Sequence, residues 1–226
     1  MPQYLAEING KNFKLSKEEA HHLRVARYTV NQEIKIFDGC GKKYLARLTS
    51  AQGGEIIKQI PNPELKRNIT LYFSAISRPA TEELLDLCTQ SGASVFCPVF
   101  SKYCDANLLK KWHTKQERWG QIVLASAKQC EIAKVPQILA PLNFGEAIKN
   151  VKTPALICYE DEQKTHITAQ IPNVKDVAIF IGPEGGYAQE EIALAKNNGI
   201  IPVTLGANIL RAQTAAACAV WALANL

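Results

Sequence analysis

VAIFIGPEGGYAQEEIALAKNNG, Val177 to Gly199, joins an apolar run, a glycine-rich turn and a helical stretch within twenty-three residues. The run VAIFI does not alternate with polar residues, so it reads as a strand buried on both faces. AQEEIALAKNNG reads as a helix that ends with Gly199 in a C-cap position. Working outward, the same unit recurs. ITLYFSAIS precedes a helix through TEELLDLCTQSG, and SVFCPVF precedes a charged region and a helix around KQERWGQIVLASAKQC. PALICYE and IPVTL are further strands, and AAACAVWALANL is a terminal helix. Apolar strands alternating with helices predict an α/β domain on a parallel sheet covered on both faces.

Before this region the rhythm differs. YLAEI, EIKIFD, KYLARLTS and GEIIKQI are separated by Asn-Gly, Asp-Gly and Gly-Gly pairs, which are strand and hairpin signals. One helix interrupts them, opened by Ser16 with Glu19 three residues on in a capping-box arrangement. A small β-barrel carrying one helix is the expectation for residues 1–67, with the α/β domain over 68–226. The linker is IPNPELKR, Ile60 to Arg67, with two prolines and several charges.

The 226 residues carry 26 Lys and Arg against 21 Asp and Glu, a net charge of +5. Residues 1–67 hold 12 basic and 7 acidic side chains and residues 68–226 hold 14 of each, so the excess lies wholly in the first third. That asymmetry favours two domains with different tasks. The 47% hydrophobic content excludes a disordered chain. No apolar run reaches the ~20 residues of a membrane span, and MPQYLAEINGK lacks the order of a secretory signal, so a cytoplasmic location is expected. The seven cysteines are odd in number and contain no CxxC pair, which predicts buried, reduced thiols rather than a disulfide framework or a zinc site. The four histidines show no HxxxH spacing, and no metal is expected.

Open parallel sheets bind ligands beyond the carboxyl ends of their strands. Two loops there are unusual. In Ile181-Gly182-Pro183-Glu184-Gly185-Gly186, three glycines either bring bare backbone to a ligand or make a tight connection that needs positive φ. It is neither GxGxxG nor a Walker loop, which argues against a phosphate cradle. The second loop, Leu205 to Thr214, contains Arg211, the only arginine of the last hundred residues. Arg211 either neutralises a developing negative charge or satisfies carbonyls at an interface. The helix after it is apolar on most sides, which suggests a subunit interface. In the first domain, His21, Arg24 and Arg27 at a spacing of three, with His22 beside them, form either a face for RNA or an ordinary solvated basic face.

HHLRVAR (His21 to Arg27), IGPEGG followed by Gln189-Glu190-Glu191, and LGxxILRAxTA (Leu205 to Ala215) together resemble the RsmE family of 16S ribosomal RNA uridine methyltransferases, of the SPOUT superfamily. The resemblance extends along nearly the whole chain. It implies an N-terminal PUA-like β-barrel for RNA binding and a C-terminal α/β SPOUT domain tied in a trefoil knot, a rare exception to the rule against threading. It implies an obligate homodimer acting on 16S rRNA or the small ribosomal subunit, with S-adenosylmethionine as cofactor. By family position the cofactor contacts are Tyr159, Ile181, Gly182, Gly186, Leu205, Gly206, Ile209 and Leu210. Arg211 would be the catalytic residue, stabilising charge on the uracil carbonyls as N3 loses its proton. His22, Arg24 and Arg27 would bind the RNA substrate.

The chain departs from the family pattern at several positions. Ser77-Arg78-Pro79-Ala80 stands where a Lys-Gly pair is common, and Ile132 and Asn208 stand where arginines are common. Gln213 replaces a glutamate of RILRAETA and keeps its hydrogen-bonding shape without its basicity. Two further readings therefore stand beside the methyltransferase: a non-catalytic RNA-binding homologue, and an enzyme directed to another RNA.

Overall fold

The computed structural model describes residues 3–62 and 64–226; Met1, Pro2 and Pro63, the last within the expected linker, lie outside them. The chain forms two compact units, one of residues up to Glu64 with Leu124–Val135, the other of Leu65–Val123 with Pro136–Leu226. The sequence reading divides the chain once, after residue 67. Here it divides between Glu64 and Leu65, and the stretch Leu124–Val135 joins the first unit. Arg67, counted with the basic excess of the first domain, is 9% exposed in the second unit, where its guanidinium donates to the carbonyls of Pro172 and Leu223.

The first unit is a closed barrel of β1 (Gln3–Asn9), β2 (Asn12–Leu15), β3 (Glu33–Phe37), β4 (Lys43–Ser50) and β5 (Gly53–Ile60) in the order β1-β2-β5-β4-β3. Four pairings are antiparallel, and β1 with β3 is parallel and closes the ring. Closure leaves no sheet edge unpaired. Alternation sends Tyr4, Ala6, Phe13, Leu15, Ile34 and Ile36 into the core. Helix α1 (Lys17–Val25) adds Leu23 to that core.

Ser16 caps α1 as expected, accepting the Glu19 N–H at 3.1 Å. The reciprocal half of the box is not made. The Glu19 carboxylate turns instead to Lys128 Nζ at 2.6 Å, a charge-assisted bond stronger than one to a backbone amide. The helix ends before Arg27. Ala26 is the C-cap, Arg27 has φ +60°, and the N–H groups of Arg27 and Tyr28 donate to the carbonyls of Arg24 and Leu23. This is a Schellman motif with arginine where glycine is usual. The single helical face expected for His21, Arg24 and Arg27 therefore holds only for the first two.

Residues 124–135 are bound to the barrel by polar contacts. Gln3, fully buried, donates through Nε2 to the carbonyls of Ala127 and Ile132 at 3.1 and 2.7 Å. Lys35 and Lys43 converge on the Glu131 carboxylate at 2.8 and 3.1 Å.

The second unit has β6 (Asn68–Ser74), helix α2 (Arg78–Ser91), β7 (Ala93–Phe100) and α3 (Ala106–Lys110). Then come α4 (Trp112–Gln129), which ends in the first unit, β8 (Gln137–Ile138), β9 (Leu142–Asn143), α5 (Phe144–Asn150) and β10 (Ala155–Cys158). A 3₁₀ turn at Ile167–Gln170 precedes β11 (Asp176–Ile181), α6 (Gln189–Asn197), β12 (Ile201–Val203) and α7 (Ala212–Asn225). All pairings are parallel, in the order β12-β10-β11-β6-β7-β8, with β9 also on β7. Phe144, Ala147 and Ile148 of α5 and Ile192 and Ala195 of α6 pack in one core with Tyr72, Ala178 and Phe180 of the sheet. The alternate residues Leu71, Phe73, Phe96 and Ile179 are also fully buried, so both faces are covered as the apolar strands predict. Helices α2 and α7 pack against each other, α7 on β6 and β11 and α2 on β7.

The cysteines depart from expectation in part. All seven are free, Cys88 and Cys97 are buried, but Cys40 and Cys218 are exposed. Cys218 follows from the helical period of α7, whose exposed positions include Thr214, Cys218, Trp221 and Asn225.

Candidate active site

Because the sheet is parallel, β6, β10, β11 and β12 all end at one edge. The segments that follow them line a single cavity of about 1450 Å³. Its walls are the start of α2 with Ser77, Ala80 and Glu83, the loop after β10, the turn Gly182–Gly186, and the loop Thr204–Arg211 running into α7. All nine residues expected in the second domain, Tyr159, Ile181, Gly182, Gly186, Leu205, Gly206, Ile209, Leu210 and Arg211, line it.

The GPEGG turn is held from within. The Gly186 N–H donates to Pro183 O at 2.9 Å, and Gly186 adopts φ +71°, where only glycine is unstrained. A Cβ there would also overlap the Glu160 carboxylate. Gly186 is thus explained by conformation and packing. The helix after the turn is fixed by Glu191, whose carboxylate accepts the N–H groups of Ala188 and Lys102, both at 2.9 Å. Glu191 of the Gln189-Glu190-Glu191 stretch is therefore a helix cap.

The loop after β12 is shaped differently. Thr204 Oγ1 bonds both the N–H and the C=O of Gly206 at 3.2 Å, and Thr204 exchanges backbone hydrogen bonds with Thr165 and Ile167. Gly206 has φ +129°, and a Cβ on it would meet nothing within 4 Å, so the backbone borders open space. Beyond it Ile209 is 91% exposed, a large apolar side chain displayed inside a cavity rather than packed. The Tyr159 hydroxyl donates to Asp161 at 2.8 Å, and this bond, with burial and the nearby carboxylates, raises its pKa. Burial pushes the Cys158 thiol, also in the wall, up to about 12, so it stays protonated at neutral pH.

Arg211 is the N-cap residue of α7, exposed, and its side chain makes no capping bond. Among the described residues it has no ion-pair partner. A cation at a helix N-terminus faces the positive end of the dipole, so this placement opposes helix stability. Its side chain bonds no carbonyl among the described residues of its own chain, and the interface role the sequence left open concerns a partner subunit. Two residues on, Gln213 is 8% exposed and donates through Nε2 to Glu83 Oε2 at 3.1 Å.

Glu83, Glu160, Lys164 and His166 belong to the cavity and were not expected there. The loop after PALICYE carried a usable signal, since it follows a strand of the same sheet. Glu83 carried none, because only packing shows which turn of α2 faces the edge.

In the first unit His22 lines a smaller cavity of about 610 Å³ with Gln3, Tyr4, Val25 and Lys128. Its Nδ1 lies 3.4 Å from Lys128 Nζ. Arg24 and Arg27 are exposed beside it in sequence and lie outside this cavity.

Residues 63–224 match the RNA methyltransferase domain family, and residues 15–60 match the RNA methyltransferase PUA domain. The ribosomal RNA small subunit methyltransferase E of Synechocystis sp. is 32% identical over 211 residues, 89% of this chain and 69% of that protein. That of Mesomycoplasma hyopneumoniae is 30% identical, with 94% of each chain covered. Among solved structures, a ribosomal RNA small subunit methyltransferase E from Neisseria gonorrhoeae bound to S-adenosyl methionine superposes with a TM-score of 0.87 at 28% identity, covering 97% of this chain and 95% of that one. The likeness carried by three short motifs thus runs through barrel and sheet alike, and the chain belongs to the family of ribosomal RNA small subunit methyltransferase E.

Proposed function

We propose that the chain methylates N3 of a uridine in 16S rRNA with S-adenosylmethionine as donor, and that the cavity at the carboxyl edge of the sheet is where it does so. The observation that carries this reading is Arg211, an exposed arginine kept unpaired at a helix N-terminus inside the cavity that holds the two family loops. A cation so placed is disfavoured in the resting protein and serves a negative charge that arises elsewhere, here on the uracil carbonyls as N3 is deprotonated.

The residues present suit the donor. Open backbone at Gly206 and apolar surface at Leu205, Ile209 and Leu210 can flank an adenosyl group, with Tyr159, Ile181, Gly182 and Gly186 completing the wall. The relative from Neisseria gonorrhoeae, of closely similar fold, is bound to that cofactor. Once bound, S-adenosylmethionine supplies an electrophilic methyl group on a sulfonium that leaves as a neutral thioether. The chain's own task is to orient the acceptor and stabilise its charge.

His22, Arg24 and Arg27 are read as contacts to RNA from the barrel, and the exposed stripe Thr214, Cys218 and Trp221 of α7 as the homodimer face. The test is incubation with S-adenosylmethionine and small subunits lacking the modification, followed by mapping of N3-methyluridine by mass spectrometry. Transfer to one uridine supports the proposal. Cofactor binding without transfer overturns it, and transfer only to other RNA would redirect it.

A further inference from the structure

The cavity contains more chemistry than cofactor binding and Arg211 use. Glu83 projects into it from α2, one turn after Ala80 of the same wall. Its Oε2 is held by the amide of Gln213, itself almost wholly buried, and Gln213 is two residues from Arg211 on α7. Glu83 Oε1 accepts no hydrogen bond among the described residues. Of the other carboxylates of the wall, Glu162 is anchored through Oε1 alone, by the N–H groups of Lys164 and Thr165 at 2.9 Å, and Glu160 and the exposed Glu184 accept no hydrogen bond among the described residues; Glu83 is the one bonded to α7, the helix that Arg211 opens. A carboxylate fixed through one oxygen and open at the other, in the wall of the same cavity as an unpaired arginine, is the arrangement needed to take a proton while the arginine balances the charge left behind.

We propose that Glu83 is the catalytic residue that takes the N3 proton of the acceptor uridine, with Gln213 as its positioning residue; this rests on the methyltransferase reading above. The N3–H bond breaks and its proton passes to Glu83 Oε1. The N3 electron pair forms the new N–CH₃ bond, the S–CH₃ pair returns to sulfur, and S-adenosylhomocysteine leaves neutral. The negative charge of the carboxylate and the positive charge of the sulfonium disappear together. Before the reaction the same carboxylate accepts a hydrogen bond from N3–H, which N3-methylated product cannot donate.

The first test needs no cofactor. The protein without cofactor should bind an RNA fragment containing the unmodified uridine about tenfold more tightly than the same fragment with N3-methyluridine, the order expected for a hydrogen bond to a charged group. Glu83→Ala should abolish that preference. With S-adenosylmethionine, Glu83→Gln should lower kcat by about 100-fold or more at unchanged cofactor Kd, which also reports that the variant is folded. Adding Gln213→Glu to Glu83→Gln returns a carboxylate about 3 Å away and should recover about tenfold of the loss. Turnover of Glu83→Gln within threefold of the parent, or a parallel loss of cofactor affinity that makes Glu83 a cofactor ligand, overturns the inference. Absence of transfer by the unaltered protein would instead defeat the methyltransferase reading, and the cofactor-free binding preference separates the two failures.

Discussion

Glu19 Oε1 and Lys128 Nζ lie 2.6 Å apart, with the two side chains 6% and 18% exposed, and the second Glu19 oxygen is buried without a partner. The pair is the reason the capping box of α1 is only half made. Lys128→Met should cost about 3 kcal/mol, because it leaves a carboxylate buried and uncompensated. The double variant with Glu19→Gln should be less destabilised than Lys128→Met alone. Urea denaturation of the four members of the cycle measures the coupling, and additive effects would show that the pair contributes nothing.

Arg27 occupies the left-handed position that closes α1. Arg27→Gly should stabilise the protein by about 1 kcal/mol, since glycine carries no Cβ penalty there. The same variant should bind RNA more weakly, with the slope of log affinity against log salt reduced by about one, as for one lost phosphate contact. A gain in stability with an unchanged slope would return Arg27 to an ordinary solvated residue.

Arg211→Ala should separate stability from activity. Removing a cation from a helix N-terminus should leave the melting temperature unchanged or slightly raised. Methyl transfer should fall by about 100-fold or more, while cofactor affinity measured by calorimetry stays nearly intact. Equal loss of affinity and turnover would mark it as a structural residue.

Glu131 is held below the usual carboxylate value by its bonds to Lys35 first and then Lys43. A carboxylate whose folded pKa is depressed adds stability that is fully present above its unfolded value, about 4.3, and is lost as pH falls through the folded pKa. The stability gap between the parent and Glu131→Gln should therefore be widest at pH 6 to 7 and close below about pH 4. Urea midpoints at pH 6.5 and 3.5 report it, and a gap independent of pH would contradict the pairing.

Cys40 and Cys218 are the two exposed thiols, and Cys218 lies on the stripe of α7 assigned to the dimer. At micromolar concentration and above, thiol reagents should modify Cys40 quickly and Cys218 slowly. Dilution below the dimer dissociation constant should release Cys218. Equal rates at every concentration would remove α7 from the interface.

What the sequence determined by itself was local. Strand, glycine-rich turn and helix are encoded in contiguous residues, so VAIFIGPEGGYAQEEIALAKNNG and the LGxxILRA loop could be read before any packing was known, as could the barrel strands with their Asn-Gly and Asp-Gly turns. The parallel sheet then brings both loops to one edge, which is why every cofactor contact expected in the second domain lines one cavity. What only the tertiary structure decided depends on partners far apart in the chain. Glu19 leaves its capping role for a lysine 109 positions away, and Gln213 reaches Glu83 across 130. Arg27 leaves the helical face because the helix closes one residue earlier. The 124–135 stretch joins the barrel through Gln3 and Glu131 although its residues continue a helix of the α/β domain. Periodicity and turn chemistry report the backbone a few residues at a time, whereas a charge is placed by whichever opposite charge or buried carbonyl the fold brings to it.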